Sequence, residues 1–112
     1  MNTQSLVFTI AEKLALVNAI DSVIVADELI HKAELDVMNQ LMQRIDFDSN
    51  FIIQARIISD DQRLLIIKGM SADKKMALSK ILDEVANADG FFHEKEMELI
   101  LSICNAMGFA RR

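Results

Sequence analysis

At 112 residues, with 52% apolar and 26% charged positions, the chain can bury one real core and is too apolar for disorder. A net charge of −5, with basic runs no longer than Lys74-Lys75 and Arg111-Arg112, argues against nucleic acid, whose affinity comes from phosphate neutralisation. The single cysteine, Cys104, excludes an internal disulfide and fits a reducing, cytoplasmic location, and charges interrupt every apolar stretch, which excludes a membrane-spanning helix.

Proline is absent and glycine occurs three times, so breakers are scarce and an all-α chain is expected. No basic stretch leads into an apolar run at the N-terminus, so no secretion signal is expected either. The first helix starts at Ser5 or Thr9. Thr9 with Glu12 forms a capping box, each side chain satisfying an orphan N–H of the other residue. Leu14, Leu16, Ile20, Val23 and Ile24 then recur at helical spacing, and the pattern ends near Ala26-Asp27. A short linker over 28–30 leads to a second helix at His31, with Leu35, Val37, Met38, Leu41, Met42 and Ile45 as its apolar set.

Residues 46–50 read as a turn. Residues 51–58 have the apolar density of a short strand, but nothing else is strand-like, so a helix is expected. Ser59 with Gln62 is a second capping box and opens a short helix through Ile67, with Gly69 placed as its left-handed C-terminal cap. Ser71 caps the next helix, whose stripe is Leu78, Ile81, Leu82 and Val85; Gly90 ends it. The last helix runs from His93 to about Met107 and stops at Gly108.

The chain is also an internal repeat. Residues 16–47 moved forward by 62 lie on 78–109 without a gap. Leu16, Asp21, Val23, Ala26, Asp27, His31, Glu34 and Phe47 fall on Leu78, Asp83, Val85, Ala88, Asp89, His93, Glu96 and Phe109. The expected architecture is about six helices in one domain over 1–112: two helix-hairpin repeats, about 9–47 and 71–109, related by a pseudo-twofold and joined by two short helices.

The repeated polar segment is Ala-Asp-x-x-x-His-x-x-Glu, at 26–34 and 88–96. Helix geometry accounts for most of it. His31 and His93 stand at N-caps, Glu34 and Glu96 three residues on can reach back, and Ile30/Leu35 and Phe92/Met97 occupy staple positions. Asp27 and Asp89 do not follow from helix termination, because a carboxylate at a helix C-terminus faces the negative end of the dipole. Two readings follow. Each Asp accepts N–H groups of the next helix and locks the hairpin, or Asp27, Glu34, Asp89 and Glu96, with His31 and His93, hold a divalent cation. Oxygen ligands suit Ca²⁺ or Mn²⁺, and the histidines shift preference toward Zn²⁺ or Ni²⁺. An EF-hand is excluded, since neither 27–38 nor 46–57 carries the sixth-position glycine or the twelfth-position glutamate. Asp21 and Asp83 read as solvated or hairpin-bridging, Cys104 as a small buried hydrophobe, and the seven methionines as packing. No catalytic triad and no phosphate-cradling glycine loop is present, so no enzyme activity is expected.

Ala88-Asp89-Gly90 followed by Glu96, and an apolar helix ending Met107-Gly108-Phe109, resemble the TerB-like family, named for bacterial tellurite resistance and similar in fold to a helical domain of some J-domain co-chaperones. The first copy keeps Ala26, Asp27 and Glu34 but has Glu28 in place of the glycine. The resemblance spans both hairpins and fades over 48–75. It implies an all-helical, mainly cytoplasmic bacterial protein linked to chemical stress, with acidic residues that bind a cation. The expected function is a non-catalytic interaction module acting on a protein partner or a second copy of itself. The alternative is a dedicated metal-binding or metal-sensing protein that uses the repeated Asp, Glu and His positions.

Overall fold

The computed structural model describes residues 7–26, 32–88 and 94–108. The protein is all-α, and its described residues form six helices in chain order: α1 Ile10–Ile24, α2 Lys32–Ile45, α3 Ser49–Ala55, α4 Asp60–Lys68, α5 Ala72–Ala86 and α6 Glu94–Ala106. No strand occurs among the described residues.

Local chemistry sets most of the boundaries. Thr9 and Glu12 form a reciprocal capping box, and so do Ser59 and Gln62. The Ser71 hydroxyl accepts from Lys74 N–H and opens α5. Asp48 does the same for α3 through Phe51 N–H, so the turn expected over 46–50 is shorter: Ser49 and Asn50 already belong to α3. Gly69 is corrected too. Its φ is −82°, an ordinary right-handed value, and α4 closes through bonds from Gly69 N–H to the Ile66 and Ile67 carbonyls.

Left-handed closures occur elsewhere. Gly108 has φ +88° after α6, and Asp46 has φ +66° after α2. These two residues stand at the same place in the repeat, 62 apart. Phe47 N–H reaches back to the Met42 carbonyl at 3.0 Å, the six-to-one bond of a Schellman closure. The two positions thus share a left-handed backbone, with Asp at the first and Gly at the second.

The 62-residue offset also carries the limits of α1, 10–24, onto those of α5, 72–86. Their packing differs. α1 lies at the centre, against α3, α4, α5, α6 and α2, and eight of its fifteen residues are buried. α5 meets α1, α2 and α6. The core gathers around Leu16, Ile20, Leu78 and Leu82, closed by Leu41, Ile67, Ile100 and Ile103. Cys104 belongs to it, fully buried, with its sulfur 3.8 Å from the Ser79 hydroxyl.

Candidate functional site

Of the six expected site residues, Asp27, His31, Asp89 and His93 lie outside the described residues, as does the expected stop at Gly90. Glu34 and Glu96 are described. Each sits in the first turn of its helix, and each is 0% exposed. A glutamate that merely closes a capping box at a helix end usually stays wet. Both of these have been drawn inside the protein.

Burying an ionised carboxylate costs several kcal/mol unless donors or a cation compensate. Among the described residues no hydrogen-bond partner reaches either carboxylate oxygen of Glu34. Carboxylate oxygens are the ligands that hard divalent cations take. Among the described residues alone, no three His, Cys, Asp or Glu side chains converge to hold a metal.

A second polar cluster, not evident in the repeat, fastens the connector to α1. Asn18 is 6% exposed in the midst of an apolar helix. Its amide nitrogen donates to the Ala55 carbonyl at 2.8 Å and the Ile58 carbonyl at 3.1 Å, satisfying the end of α3. Its amide oxygen accepts from the buried Arg63 guanidinium at 3.0 Å, and the same nitrogen of Arg63 lies 3.3 Å from the Ser22 hydroxyl. One turn further along α1, Asp21 receives Arg56 through both its oxygens, each at 3.0 Å. The pair holds the Arg56 guanidinium above its ordinary value, through the hydrogen bonds first and the charge second. Asp21, expected to be solvated or to bridge its own hairpin, instead ties α1 to the connector. The sequence signal was an Asn within the apolar run 14–24, with a lysine at the matching place in the second copy.

A groove of about 990 Å³ runs along α2 and α5 beside the start of α1. Val7, Phe8 and Ile45 contribute its apolar surface, and Lys13, Arg44 and Lys80 its positive charge. Arg44 pairs with Glu84 at 3.0 Å, and the Lys13 ammonium donates to the Asp46 carbonyl at 3.1 Å.

No family model matches the chain, and no curated protein matches it. A solved structure does: a protein of unknown function from Porphyromonas gingivalis, TM-score 0.76 at 22% identity, over 96% of this chain and 90% of that one. The likeness is one of fold. Among the described residues, no helix is long and apolar enough to cross a membrane.

Proposed function

We propose that this chain is a non-catalytic, TerB-like module of a bacterial stress response, acting in the cytoplasm through contacts with other proteins. The observation that carries the reading is the complete burial of Glu34 and Glu96 at the same position of both copies. A carboxylate sealed from solvent does not meet a dissolved substrate. It can hold a loop, and so stiffen the framework that presents the outer helix faces. In this reading the repeated acids are structural and the surface does the work.

The alternative is a dedicated metal-binding or metal-sensing protein. It draws on Glu34, whose oxygens have no hydrogen-bond partner among the described residues. Glu34 and Glu96 would be its oxygen ligands, with Asp27, Asp89, His31 and His93 completing the set.

Thermal unfolding of metal-stripped protein against Ca²⁺, Mn²⁺, Zn²⁺ and Ni²⁺ separates the two. An ion that binds only the native state raises the midpoint with its concentration. The module reading expects no such rise beyond general salt effects in the parent, with Glu34→Gln and Glu96→Gln altering stability equally with and without ions. A concentration-dependent rise abolished by Glu34→Gln and by Asp27→Asn would overturn it in favour of the sensor. Trp and Tyr are absent, so calorimetry or an external dye serves as the readout.

A further inference from the structure

The groove along α2 and α5 has a filled counterpart in the same molecule. Its α5 residues Ala77, Lys80, Ile81 and Glu84 stand 62 positions after Ala15, Asn18, Ala19 and Ser22 of α1. That face of α1 is where the connector docks: Asn18 and Ser22 receive Arg63, and α4 packs across α1 and α6. The offset carries the pair α1 and α6 onto α5 and α2, the two helices that wall the groove. Among the described residues there are one connector and two such clefts; one cleft holds a helix, and no described helix lies in the other.

From this correspondence we propose that the groove between α2 and α5 docks an amphipathic helix of a partner protein, with an acidic side chain set against Lys80. The inference deepens the interaction-module reading and rests on it. α4 shows the pattern required: Arg63 and Ile67, at i and i+4, are its buried side chains, and Met70, two residues past its end, is buried beside them. That is the anchor spacing of a helix laid in a groove.

Charge selects the occupant. Where α1 offers the neutral Asn18 to an arginine, α5 offers Lys80, which is exposed and has no ion pair among the described residues. Lys13, Arg44 and Lys80 outnumber Asp46 and Glu84 in the lining, in a chain whose net charge is −5. A second α4-like helix bearing an arginine would meet a like charge. One bearing a glutamate or aspartate there would be attracted and correctly oriented.

The test uses the full chain and two synthetic helices. One has the sequence of residues 59–70, stapled between the solvent-facing positions 61 and 65; the other is the same peptide carrying Arg63→Glu. Binding is followed by amide chemical shifts. The Arg63→Glu peptide is expected to bind about fivefold more tightly than the unaltered one, the effect of one surface ion pair. Its shifts should fall on residues 40–46 and 77–84. Lys80→Glu, an exposed substitution whose folding is checked by circular dichroism, should reverse the preference.

Absence of binding overturns the groove while leaving the separate metal test of the module reading intact. Shifts confined to α1 around Asn18 and Ser22 overturn it as well, since the peptide would then be competing with α4. Contacts from residues 1–6 to Ile81 in the free chain would make the chain its own occupant. Shifts of the groove residues that depend on protein concentration alone would make the occupant a second copy. Either result overturns the partner-helix proposal.

Discussion

The Glu12 carboxylate and the Lys74 ammonium meet at 2.8 Å, and the two residues are 62 positions apart, the offset that lays one half of the sequence on the other. Each is the third residue after its N-cap, Thr9 or Ser71. Positions related by that offset therefore touch, and they carry opposite charges. The pair joins the first turns of α1 and α5, and Lys74 also lies 5.8 Å from the Phe8 ring centre.

This pair gives a pH dependence with a defined sign. The hydrogen bond from Lys74, then that from Thr9 N–H, holds the Glu12 carboxyl below its ordinary range. A depressed carboxyl adds stability that is present above the unfolded value, about 4.3, and is lost as pH falls through the folded value. Glu12→Gln is expected to lower stability at pH 7 by about 1 kcal/mol or less. The gap between variant and parent should close below the ordinary carboxylate range. Urea unfolding from pH 7 down to about pH 3 checks this, and a gap that stays constant would sink it.

The two left-handed helix stops should respond in opposite directions. Gly108 has open space where a Cβ would lie, so Gly108→Ala meets only backbone strain and should cost about 1 kcal/mol. Asp46 already bears that strain, and Asp46→Gly should gain about 0.5 kcal/mol. The carbonyl that Lys13 uses is retained in that variant. Denaturant midpoints of the two variants are the measurement.

Asn18→Ala removes the donor to two carbonyls and the acceptor for Arg63 in one step. Groups left buried without partners cost about 1–3 kcal/mol each at most, so a loss of about 3 kcal/mol is expected. Arg63→Ala alone should also destabilise. The double variant should lose less than the sum, because both changes dismantle one network. Strict additivity in the cycle would show that the two side chains act independently.

The connector should be the first part to loosen when Arg56 is removed. Arg56→Ala breaks its two hydrogen bonds to Asp21, and the pair is exposed on the arginine side, so the global cost should stay near 1 kcal/mol. Hydrogen exchange of α3 amides is expected to quicken more than that of α5. Equal change in both helices would contradict a local role.

What could be read from the chain alone was local or periodic. The caps at Thr9, Ser59 and Ser71 involve residues three apart, and that reach is short enough for sequence to determine the outcome. The 62-residue offset likewise anticipated matching limits for α1 and α5. The burial of Glu34 and Glu96 was not legible, since a glutamate three residues after a cap reads the same whether wet or dry. Gly69 misled for a related reason: a glycine permits a left-handed closure, and the bonds from its N–H to Ile66 and Ile67 made none necessary.

The tertiary structure decided which of two similar helices became the centre. α1 and α5 share apolar periodicity, and either could offer a stripe to the core. The connector chose α1 because Asn18 can give its amide to the end of α3 while accepting from Arg63, at separations of 37 to 45 residues. Lys80, at the matching place on α5, carries a charge that α4 would have to face with an arginine. Both side chains are plain in the sequence. Their consequence depends on residues brought close only when the chain has folded, and that long-range pairing made one cleft part of the core and left the other without a helix among the described residues.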